Sequence, residues 1–136
     1  MWVVDLNRQS LDRVVPDIAA GRLAAMFEAA GWHTVMVKYG PLLQQRPELR
    51  NRIDAMPNEE YQRLLRANAD ELRTRIEVDV NDLDDTELLV TFRDLGGHDM
   101  ASLIDGYRQA DAVRDRPSVV FAYTIKGWSR TASAWR

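Results

Sequence analysis

Asn7 and Gln9 stand two residues apart just after the apolar run Trp2 to Leu6, and Lys126 follows a second apolar run that begins at Ser118. In extended backbone, residues two apart point to the same side, so oxygens from positions 7 and 9 can face one cation. Donors that are all oxygen suit magnesium, which keeps octahedral geometry and completes its shell with a carboxylate, phosphate oxygens and water. Lys126 would then place a positive charge beside the anionic ligand. The same residues also read as a solvated turn after a strand, which is the commoner case, and spacing alone does not separate the two. Few other chemistries are open. The chain has no cysteine, which removes disulfides, thiolate catalysis and sulfur-built zinc sites. Its two histidines, His33 and His98, lie far apart, leaving little for a histidine metal cluster or a catalytic triad. His98, between a glycine pair and Asp99, reads as loop scaffolding, and His33 as an exposed strand residue. Glu59 and Glu60 read as first-turn charges that favour a helix dipole.

Composition narrows the partners. With 136 residues, 46% hydrophobic and 29% charged, one domain with a modest core is expected. A formal net charge of -3, with basic and acidic residues interleaved, offers no field for a polyphosphate backbone, so nucleic acid is not expected as a partner. The amino-terminal residues lack the pattern of a signal peptide, and no apolar stretch reaches membrane length, so a cytoplasmic protein with no membrane partner is expected.

The elements that would position these residues alternate. Residues 2–6 read as a buried strand, 17–31 as a helix with Ile18, Leu23, Met26 and Phe27 near one face and Gly31 beyond its end, and 32–38 as a second strand. Strand, helix, strand is a parallel crossover unit. From Pro47 to about Ile76 two helices are expected, broken at Met56-Pro57-Asn58, with Leu49, Ile53, Tyr61, Leu64 and Leu65 at helical spacing and Asn58 as a cap. The acidic stretch 77–85 reads as a solvated connection without the spacing of a calcium loop. A short helix ending in Gly96-Gly97 follows. Asp99 then caps a helix with an apolar face of Leu103, Ile104 and Tyr107, and a third strand begins at Ser118. Trp2, Trp32 and Trp128 read as core or interface anchors, and Trp135 as exposed.

In this order, Val-Val-Asp-Leu-Asn-Arg-Gln-Ser-Leu-Asp, Gly31-Trp32, Met-Pro-Asn-Glu-Glu-Tyr-Gln, Asp-Leu-Gly-Gly-His-Asp and Val-Val-Phe-Ala-Tyr-Thr-Ile-Lys-Gly-Trp resemble the decarboxylating component of pyruvate dehydrogenase. The type is the thiamine diphosphate-dependent, homodimeric, transketolase-like one. The resemblance runs from Trp2 to Trp128. It implies a partial thiamine diphosphate-binding, transketolase-like α/β domain: a parallel sheet of about three strands with flanking helices. Within 1–128 it implies a helical insertion at about 47–95, followed by a divergent tail at 129–136. It further implies that Asn7 binds magnesium through its side chain and Gln9 through its main-chain oxygen, and that Lys126 lies near the cofactor. Magnesium and thiamine diphosphate are the implied cofactors. Pyruvate and a lipoyl-bearing acetyltransferase component are the implied substrate and partner.

Departures from the family pattern bear on activity. Gly-Asp-Gly, which in the family opens the cofactor motif and supplies the magnesium carboxylate, does not occur in the sequence. The glycine-rich loop expected after Thr-Ile-Lys-Gly-Trp is replaced by Ser-Arg-Thr-Ala-Ser-Ala-Trp-Arg. The expectation is therefore a fragment of the cofactor domain, inactive alone, whose preceding strand and helix are encoded elsewhere or lost. It would act as a homo-oligomer or with a complementary chain. The alternative is a non-catalytic α/β interaction module derived from such an enzyme, binding through the exposed edge of its first strand.

Overall fold

A computed structural model describes residues 1–10, 13–14 and 20–127. Expectations for Ile18, Trp128, Trp135 and the 129–136 tail lie outside the described residues. Three strands form a parallel sheet in the order β1 (Trp2–Leu6), β5 (Ser118–Tyr123), β4 (His33–Val37). Trp2 pairs with Val119 and Leu6 with Tyr123 on one side of β5, and His33 with Ser118 and Val37 with Ala122 on the other. The central strand carries an unbroken apolar run because it is covered on both faces, and every one of its residues is buried. The α/β architecture expected from the sequence is thus the one found. Just after β1, Gln9–Ser10 (β2) and Arg13–Val14 (β3) form a short antiparallel pair that the sequence pattern does not announce.

Helix α1 (Ala20–Ala29) crosses from β1 to β4 and stops at Gly31, whose φ of 81° is glycine's territory. The Gly31 N–H donates to Glu28 O and the Trp32 N–H to Phe27 O, the paired bonds that close a helix end. Its apolar face is shallower than the spacing suggests: none of its residues is buried and Met26 is exposed. Phe27 makes its main contacts edge-on, with ring centres 5.7 Å from Phe121, 5.2 Å from Trp32 and 6.0 Å from Trp2. On the other sheet face, α7 (Met100–Ala112) packs Leu103, Tyr107 and Ala110 against Val35, Val37 and Val120. Ile104, grouped with that face by spacing, is instead 42% exposed. Asp99 caps α7 as expected, its carboxylate accepting from the Ser102 N–H at 2.7 Å.

Between β4 and α7 lie α2 (Pro41–Gln44), α3 (Pro47–Ala55), α4 (Asn58–Leu64), α5 (Ala69–Ile76) and α6 (Asp85–Phe92). Where the pattern suggests two helices over 47–76, there are three. Asn68 accepts from the Glu71 N–H at 2.9 Å and so starts a new helix at Ala69. Asn58 is the first residue of α4 and not its cap, a position taken by Pro57. Leu43, Ile53, Leu64, Leu72, Ile76, Leu88 and Phe92 have no exposed surface and form the main core with Leu49 and Tyr61. The 77–85 stretch is not simply solvated. Val80 is buried, and Arg73 donates to Val80 O at 3.1 Å and Leu83 O at 2.7 Å, tying the connection to α5. Among the described residues no helix is long and apolar enough to cross a membrane.

Candidate functional site

In open parallel sheets, loops from adjacent strands converge beyond the carboxyl ends, where ligands bind. Here those ends carry Asn7-Arg8-Gln9 after β1, Lys38-Tyr39 after β4 and Thr124-Ile125-Lys126 after β5. Asn7 Oδ1 accepts the Gln9 N–H at 3.0 Å, and Arg8 between them sits at a φ of 58°. The backbone is therefore turned at this point, and a local hydrogen bond brings Asn7 and Gln9 together in place of strand alternation. Gln62, buried in α4, fixes the turn from below. Its Nε2 donates to Asn7 O at 3.1 Å, and its Oε1 accepts from Gln9 Nε2 at 2.6 Å.

The β5 loop is held by His98 in the 3-10 turn Gly96–His98. The His98 Nε2 accepts the Ile125 N–H at 2.7 Å, next to Lys126, which is exposed. An accepting nitrogen requires neutral imidazole, and burial holds the His98 pKa below its ordinary value against the opposing charge of Asp5. His98 is thus loop scaffolding. Gly97 permits this approach, since a β-carbon there would collide with the Tyr123 carbonyl oxygen. Asp5, the carboxylate in β1, accepts a hydrogen bond from Thr124 Oγ1 and so joins β1 to the same loop.

The β4 loop brings residues that the reading of the first and third strands passed over. Asp54 of α3 accepts from both Lys38 Nζ and Tyr39 Oη. Lys38 Nζ also lies 5.1 Å from the Tyr123 ring centre, and the Arg8 guanidinium 4.4 Å from that of Tyr61. Burial pushes Tyr123 up to about 12; it also raises Tyr61, and raises Tyr39 with help from Asp54, so all three phenols stay protonated and can donate. Applying the strand-end rule to Val-Lys-Tyr-Gly would have flagged Lys38 and Tyr39. Asp54 and Gln62 come from distant helices and leave no local signal.

Asn7 and Gln9 offer neutral oxygens, and Lys126 a cation on the neighbouring loop. Among the described residues no group of three or more His, Cys, Asp or Glu side chains is placed to hold a metal ion. The oxygens of Asn7 and Gln9 are of the type magnesium takes, and the Asp5 carboxylate, in β1, stands two residues before Asn7.

The chain matches no protein-family model. It is 27% identical over 148 aligned positions to the pyruvate dehydrogenase E1 component of Buchnera aphidicola subsp. Schizaphis graminum (strain Sg). That alignment covers 94% of this chain, which spans about 16% of the length of the curated relative it matches. The similarity places the chain in a distant relationship to that protein.

Proposed function

We propose that this chain corresponds to part of the diphosphate-binding domain of a thiamine diphosphate-dependent pyruvate dehydrogenase. The supporting observation is the Asn7-Arg8-Gln9 turn, pinned by Gln62 at the carboxyl end of β1, in a chain similar over 94% of its length to a pyruvate dehydrogenase E1 component. In this reading the Asn7 side chain and the Gln9 main chain give oxygens to magnesium, and Lys126 offsets the diphosphate charge. His98 and Gln62 act as positioning residues for the two loops. When bound, thiamine diphosphate supplies the electron sink for decarboxylating pyruvate, and the protein supplies binding, orientation and electrostatics. Pyruvate and a lipoyl-bearing acetyltransferase component are then substrate and partner. The magnesium carboxylate comes from a complementary chain or segment, so the chain alone binds cofactor weakly and does not turn over. Phosphorus NMR of thiamine diphosphate with magnesium checks this: adding the chain should broaden the diphosphate lines, and Asn7→Ala should abolish the broadening. Equal broadening by the variant, or carbon dioxide release from pyruvate by the chain alone, would contradict the reading.

A second reading, a non-catalytic interaction module, draws on β1: Trp2 and Val3 are 60% and 50% exposed on a strand that, among the described residues, is paired along one edge only. It predicts a dimer or complex whose formation Trp2→Ala weakens, read by sedimentation. A strict monomer at all concentrations that captures no second chain counts against it.

A further inference from the structure

Arg8 and Lys38 leave the carboxyl ends of β1 and β4 and border the same cavity, about 200 Å³ in volume, together with Leu6, Asp54, Asn58 and Tyr123. A chamber of about 10 Å³ shares Arg8, Lys38 and Tyr123 with it and adds Tyr39 and Tyr61. That is the space of one water molecule. Tyr61 lines the chamber, and its hydroxyl is buried and has no hydrogen-bond partner among the described residues. A buried hydroxyl without a partner is unfavourable, so this O–H is a donor lacking its acceptor.

The charges of the described residues that line the cavity do not balance. Asp54 meets Lys38, whereas the Arg8 guanidinium rests on the Tyr61 ring and meets no carboxylate among the described residues. Among the described lining residues two cations thus stand against one carboxylate. Arg8 also holds a left-handed conformation, uncommon for a residue with a β-carbon, and such outliers cluster at ligand sites. The Asn7 and Gln62 hydrogen bonds fix the turn that holds it there.

We propose that this cavity binds a compact oxyanion, a phosphate or a small carboxylate. Arg8 is its forked donor, Lys38 the second charge, and the Tyr61 hydroxyl reaches it through a single water in the inner chamber. The proposal does not depend on thiamine or magnesium, and neither is present in its test. The full chain is melted in sodium phosphate, sodium acetate and sodium chloride at matched pH and ionic strength. Phosphate or acetate should raise the melting temperature by about 3 °C over chloride in a saturating manner. The arm that rises identifies the source. Arg8→Gly, which keeps the left-handed turn, should abolish the rise, and Lys38→Met should weaken it, whereas Arg108→Ala on the exposed side of α7 should leave it intact. No rise over chloride with either anion, or the same rise in Arg8→Gly, would overturn the proposal.

Discussion

Leu72 and Phe92 in the helical segment have no exposed surface, whereas Trp2 in β1 and Met26 in α1 keep 60% and 68% of theirs. The larger buried cluster lies in the helices between β4 and α7, while β1, which leads into Asn7, Arg8 and Gln9, lies on a thinly covered sheet edge. Side chains link the two regions directly: Gln62 in α4, inside the helical core, holds the β1 turn through two hydrogen bonds, and Arg8 of the turn stacks on Tyr61. The site is therefore positioned by a segment remote from it in sequence, and the β1 end should loosen before the core does.

Breaking the stable region should cost most. Phe92→Ala, which removes a fully buried ring 5.5 Å from that of Tyr61, should destabilise by about 3–5 kcal/mol in chemical denaturation. Cutting the link should cost less in stability and more in local order. Gln62→Ala leaves Asn7 O and Gln9 Nε2 without their partner, an effect of roughly 1–3 kcal/mol, and should speed amide exchange at Gln9 while leaving exchange in α5 governed by global unfolding.

The β5 loop sharpens the contrast through pH. Because burial depresses the His98 pKa in the folded chain, the bond from Ile125 contributes fully above the ordinary histidine value near 6.5 and is lost as pH falls through the folded value. Melting temperature should decline below pH 6.5, and His98→Gln should flatten that decline. The smallest effect belongs to the exposed helix. Met26→Lys should shift stability by no more than about 0.5 kcal/mol, because α1 buries nothing at that position.

Much of this was legible in the chain. Runs of β-branched residues bounded by polar groups located all three parallel strands, and glycine and aspartate marked the ends of α1 and α7. Asn68 hid a helix boundary inside a continuous pattern, because a cap in mid-run looks like one more polar surface residue. The exposure of Met26 and Ile104 was illegible for a different reason: amphipathic spacing gives a face but not whether anything packs on it. Asn7 and Gln9 could be paired by spacing, yet they meet through the left-handed backbone of Arg8, a conformation no local pattern requires. Lys38 with Asp54 and Gln62 with Gln9 are contacts between distant segments, so the part of the site that depends on them needed the fold.

The proposed role of the β1 turn is tested most directly by the melting temperature of the chain with and without magnesium and thiamine diphosphate together, compared with the Asn7→Ala variant. A ligand that binds only the folded state must raise it. The account predicts a rise in the parent chain that disappears in Asn7→Ala. A cooperative melt with no rise, or a rise of equal size in the variant, would contradict it.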